Sequence, residues 1–91
     1  MFNAQMYAVQ VERMLLKRGL SGVHSADTIR NNPVLYLHGA LDAYRKNSNE
    51  FRNALDNFWE KYDKYENMSF DQLGEDISAQ LVADLSDLFA K

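Results

Sequence analysis

Between residues 33 and 65 the apolar side chains fall at Val34, Leu37, Leu41, Tyr44, Phe51, Leu55, Phe58, Tyr62 and Tyr65, in steps that alternate three and four with Ser48 as the single interruption. Helical geometry gathers residues so spaced onto one continuous stripe, whereas a strand would bury every second residue. The same stretch holds the only Trp and seven of the eleven aromatic residues, so the chain's bulkiest packing groups are concentrated on it. The spacing predicts an all-α fold: a small helical bundle of three to four helices, with a central helix or helical hairpin over 33–66 flanked by helices over 3–18 and 70–90. Ninety-one residues suit a single all-helical domain spanning 1–91. A chain this short buries only about 60–65% of its unfolded surface, so self-association would add to its stability.

One helix or two over 33–66 depends on Asn47-Ser48-Asn49. Three weak helix formers stand in a row there, and Asn47 precedes Glu50 in the arrangement of a capping box. One unbroken helix would run about 50 Å, long for so small a domain. The seam does keep its phase across the triplet, a coincidence expected about two times in seven for independent helices. The triplet's composition favours a turn at 46–48. Such a turn closes the bundle, whereas a continuous helix leaves seam exposed for a partner. Gly39, inside the first half, costs a helix about 1 kcal/mol relative to Ala, and the return expected for it is close approach of a neighbouring helix.

The flanking helices carry their own signals. Ala4, Tyr7, Ala8, Val11, Met14 and Leu15 recur at helical spacing, and Lys17 and Arg18 oppose the negative end of that helix's dipole. Gly19 fits the left-handed C′ position, with Leu20 folding back after it. Phe2, Met6, Val9 and Leu16 lie off the main stripe, so the first helix is expected to be covered on two sides. After a connector, Gly22-Val23-His24, Ser25 can cap a short helix over 26–31 whose only large apolar residue is Ile29. Asn32 and Pro33 fit the N-cap and N1 positions of the central stretch. Ser69 with Gln72 makes a capping box, and Met68 with Leu73 takes the places of a hydrophobic staple. Leu73, Ile77, Leu81, Leu85, Leu88 and Phe89 follow as a stripe with Val82 at its edge, while Gly74 shifts the firm part of this helix toward Glu75. Glu60 and Lys64 form an i,i+4 pair in the favourable order.

Catalytic and metal chemistry find little to work with. There is no Cys, which removes disulfides, thiolate ligands and cysteine nucleophiles, and favours a reducing cytoplasm. His24 adjoins Ser25, but adjacency in sequence does not build a triad. His38 has Asp42 one turn later to orient it, yet it lies beside the seam, where a partly buried structural His is the better reading. No metal-ligand spacing and no phosphate-cradling glycine loop occurs, so neither metal nor cofactor is expected and the chain is not expected to be an enzyme. No apolar run approaches the roughly 20 residues that span a bilayer, and residues 1–16 lack the basic start of a signal peptide, so no membrane partner is expected.

Binding is what remains. Net charge is −3, but residues 1–52 hold seven Lys/Arg against four Asp/Glu, and residues 53–91 hold three against nine. Such polarity can steer partners, although two solvated faces that happen to differ in sign are the preferred explanation. A helix–turn–helix over 9–32 would bind nucleic acid through Arg13, Lys17, Arg18 and Arg30, with Arg30, Asn31 and Asn32 reaching bases. Against it stand a very short second helix, a long connector and the acidic whole. The preferred expectation is a non-catalytic protein-binding module, a small cytoplasmic regulator, inhibitor or adaptor. It would dock through Tyr36, Trp59, Tyr62 and Tyr65, with Asp84 and Asp87 meeting a basic partner and Phe2 and Met6 adding an adaptable apolar patch. Length and composition are of the kind found in stoichiometric inhibitors that mobile elements carry. A homo-oligomer subunit, a homodimer in the simplest case, with the seam as its contact, is the third expectation.

Overall fold

The computed structural model describes residues 1–20, 25–44 and 46–91, and these form five α-helices with no strand among the described residues. The connector at Gly22-Val23-His24 lies outside the described residues. Asn3 opens α1 (Ala4–Leu16): its side-chain oxygen accepts the Met6 N–H at 3.1 Å. Gly19 closes it at φ 68°, and two bonds, Gly19 N–H to Leu16 O at 3.1 Å and Leu20 N–H to Leu15 O at 2.9 Å, make the Schellman pair that the Gly-Leu step predicts. The short helix α2 (Ala26–Asn31) survives because Ala26 and Ile29 are buried, not because Ser25 caps it; the Ser25 side chain makes no capping bond.

Helix α3 (Pro33–Ala43) begins at the expected Asn32-Pro33 step, but Asn32 does not cap it. At ψ 73° its backbone is turned away from the extended geometry that aims a cap at N2 and N3, and its Oδ1 is buried with no hydrogen-bond partner among the described residues. The long helix is broken where the triplet predicts. Helix α3 ends at Ala43, and α4 (Asn49–Tyr62) starts afresh. Its cap is Ser48, one residue later than the Asn47–Glu50 pattern implies: the Ser48 hydroxyl oxygen accepts the Phe51 N–H at 3.2 Å, and Asn47 instead accepts from Arg52 at 3.4 Å. A 3-10 turn (Asp63–Tyr65) leads to α5 (Phe70–Phe89), whose Ser69–Gln72 capping box is complete, at 3.1 and 2.9 Å.

Gly74 interrupts α5 at φ 79°, ψ 176°, a conformation open only to glycine. Across the break, the buried Ser78 hydroxyl donates to the Phe70 carbonyl at 3.3 Å and ties the two parts of the helix together. Gly39 is the opposite case. It lies within α3, is exposed, and a Cβ there would meet nothing within 4 Å, so no neighbouring helix approaches it closely. The two glycines therefore predict opposite outcomes for one substitution. Gly39→Ala should raise stability by about 0.5–1 kcal/mol through helix propensity. Gly74→Ala should lower it by about 1–3 kcal/mol through backbone strain. Urea unfolding of both variants reads the signs directly.

The nine seam residues divide as a core stripe should: Val34, Leu37, Leu41, Phe51, Phe58 and Tyr62 are buried, and Tyr44, Leu55 and Tyr65 are half-buried. The seam is not, however, the axis on which the outer helices pack. The most extensive helix contacts are those of α1 with α2 and with α5, and α4 also packs against α5. Ala4 and Ala8 on the buried face of α1 let those backbones come near. Tyr44 joins the α3–α4 turn to the end of α5 by edge contacts to Phe51 and Phe89, both at 5.3 Å, and the Arg18 guanidinium covers Phe89 at 4.1 Å. One continuous core results, in a body of 38 × 27 × 20 Å. Helices α2 and α5 both pack on α1, and of its off-stripe residues Phe2 and Val9 lie partly buried against the core, while Met6 and Leu16 remain 45% and 53% exposed, so the second cover expected for this helix is incomplete among the described residues.

Candidate interaction surface

Each flank of α4 presents polar side chains that tie it to a neighbour. On the flank toward α3, Trp59 lies on the His38 imidazole with ring centroids 3.6 Å apart and planes 12° from parallel. His38 Nε2 stands 2.8 Å from Asp63 Oδ1. Asp63, not Asp42, is thus the carboxylate at His38, because the imidazole is turned across to α4 by its stack on the indole. Trp59 also meets the Phe58 ring edge-on at 5.1 Å. The indole is half-buried and held on two sides, so its rotamer is fixed before anything binds to its remaining surface.

On the flank toward α5, Asp84 Oδ2 accepts from Lys61 Nζ at 2.8 Å and from the Tyr62 hydroxyl. Burial pushes the Asp84 carboxyl up, but the hydrogen bonds from Lys61 and Tyr62 and the ammonium charge outweigh it and hold the group below the usual carboxylate range. Burial, and then the bond to Asp84, push the Tyr62 phenol well above its ordinary value. Lys61 was not expected here, and no local signal marks it, since it is 23 residues from Asp84 in sequence. Above this cluster a groove of about 340 Å³ runs between α4 and α5, bordered by Asn57, Phe58, Lys61, Asp84, Asp87 and Lys91. Lys64, expected to pair with Glu60, instead lies over the Tyr65 ring at 5.3 Å.

The residues expected to form one docking surface are therefore dispersed. Tyr62 is 1% exposed and belongs to the core, because the seam that carries it is core. Asp84 is committed to Lys61 and Tyr62, while Asp87 is exposed on the groove. Tyr36 and Tyr65 are half-buried and pack on the core. Trp59 alone among the aromatic candidates combines a fixed ring with a place beside exposed charged residues of its own helix, Asp56 and Glu60.

The cations expected on a phosphate backbone are dispersed as well. Arg30 makes a two-bond fork to Asp71, at 2.9 and 2.7 Å, and a further bond to Gln5 at 3.3 Å. Hydrogen bonding to Arg30 holds the Asp71 carboxyl below its usual range. Arg18 covers Phe89 and donates to the Met14 carbonyl at 3.0 Å. Arg13 and Lys17 are exposed. The short helix α2 is wedged against α1 by Ala26 and Ile29, so it does not project as a groove-reading helix would. Among the described residues no cluster of three or more His, Asp or Glu is placed to hold a metal ion, and no helix is long and apolar enough to cross a membrane. No protein-family model matches the chain, and neither a curated protein nor a solved structure matches it.

Proposed function

We propose that the chain is a non-catalytic protein-binding module, a small regulator, inhibitor or adaptor of the reducing cytoplasm, with Trp59 as the anchor of its docking surface. The supporting observation is the stack at 3.6 Å that fixes a half-buried indole against His38, itself held by Asp63. A large aromatic group locked in one rotamer loses little entropy on binding, which is why Trp is enriched among the residues that dominate interfaces. Asp56 and Glu60, exposed beside Trp59 on α4, supply an acidic border suited to a basic partner surface, while Asp87 offers a further exposed carboxylate on the flank toward α5.

The test compares wild-type and Trp59→Ala chains as immobilised baits in lysate of the source cells, with bound proteins quantified by mass spectrometry and helicity checked by circular dichroism. Loss of an anchor of this type costs about 2 kcal/mol or more, so at least one captured protein should fall by roughly thirtyfold or more. Equal capture by the two baits, at equal helicity, removes Trp59 from any docking surface.

A further inference from the structure

Helix α1 carries a second stripe that the described residues leave partly uncovered. Met6, Val9, Arg13 and Leu16 follow one another in steps of three, four and three, the spacing of a coiled-coil seam, with Phe2 before the helix and Leu20 beyond its Gly19 stop at the two ends. The stripe lies opposite Ala4, Ala8, Val11 and Leu15, which face the core. Met6 and Leu16 are about half exposed, Arg13 is exposed, and Phe2, Val9 and Leu20 are partly buried against the core.

We propose that this face is covered by the same face of a second copy of the chain, the two α1 helices lying parallel about a two-fold axis. Charge selects that occupant. With Met6 and Arg13 at a positions and Val9 and Leu16 at d positions, Glu12 falls at g and Lys17 at e of the next heptad. In a parallel pair g meets the e position five residues on in the other helix, so Glu12 of each copy meets Lys17 of the other, twice by symmetry. An antiparallel pair in register would set Glu12 against Glu12. Arg13 is the one charged residue in the stripe, with Glu12 of the second copy beside it. A lone charge at an a position weakens a pair while fixing its register and strand number.

An isolated helix of 13 residues is marginal in water. Here the other face of α1 is already anchored by its buried residues, so pairing orders no new helix. The self-association expected through residues 33–65 is thus moved to α1, because that seam is spent on the core. Nothing in this pairing involves Trp59, and its failure leaves the docking surface untouched.

Sedimentation velocity on the whole chain from about 5 to 500 µM tests it. The expected result is a concentration-dependent monomer–dimer equilibrium, abolished by Leu16→Lys with helicity unchanged and tightened by Arg13→Leu. Glu12→Lys and Lys17→Glu should each weaken the dimer by about tenfold, since two attractive pairs become repulsive. Mixed in equal amounts, those two variants should recover wild-type affinity as a heterodimer. A monomer at every concentration overturns the proposal. So does a dimer indifferent to Leu16→Lys, or a mixture that associates no better than its components.

Discussion

Tyr62→Ala is expected to remove about 3–5 kcal/mol of stability, the largest loss from any single truncation on α4. The whole fold of a chain this size holds about 5–14 kcal/mol, so the variant should sit near or below its unfolding threshold at 37 °C. Two separable effects make up the loss. The ring is 1% exposed and lies tilted against Phe58 at 4.8 Å, and removing it leaves a void between α4 and α5. The hydroxyl donates to Asp84, and a hydrogen bond to a charged acceptor contributes about 1.5–3 kcal/mol. Tyr62→Phe keeps the ring and isolates the second effect.

The two also differ in their dependence on pH. The folded phenol lies above its ordinary value of 10.0, so the folded state retains a proton that the unfolded chain releases. The contribution is complete below about pH 10 and is lost as pH rises toward the folded value. The stability gap between wild type and Tyr62→Phe should therefore be constant from neutral pH to about pH 9.5 and shrink above pH 10, measured by urea unfolding. A gap that stays constant through pH 11 would show that the hydroxyl is not held as described. At the acid end the sign reverses. Asp71 and Asp84 lie below the carboxylate value of 3.8, so what they add is present above that value and is lost as pH falls through their lowered ones.

Ile29→Ala should cost about 2–5 kcal/mol, although it changes one side chain of a six-residue helix. Helix α2 has no side-chain cap and no other large apolar residue, so Ile29, fully buried, is its main apolar anchor between α1 and α5, beside the exposed Arg30–Asp71 ion pair. Asn31, exposed on the same helix, should tolerate Ala within about 0.5 kcal/mol. Both variants are compared by urea unfolding.

What could be read in the sequence was local. The Ser69–Gln72 box, the Gly19 stop and the break at the Asn-Ser-Asn triplet each follow from residues within one turn of each other, and each stands where expected. The seam was legible as core because burial follows period. Contacts that close over long separations were not legible: Arg30 with Asp71 is 41 residues apart and His38 with Asp63 is 25. Nothing in a helical period says which neighbouring helix a side chain will reach. Asn32 and Gly39 show the same limit from the other side. Each residue type suits a role, capping or close approach, that the surrounding backbone does not supply.

The 33–65 stripe is closed upon itself by the break between α3 and α4, and the core depends on that closure. The chain has no native Cys, so spin labels can be placed singly at Leu35→Cys and Glu60→Cys and diluted with unlabelled chain. The stack of His38 on Trp59 at 3.6 Å brings these two ends together, and a label separation of about 20 Å or less is expected. A separation near 40 Å, the rise of one unbroken helix between those positions, would contradict the closed core and return the stripe to the surface.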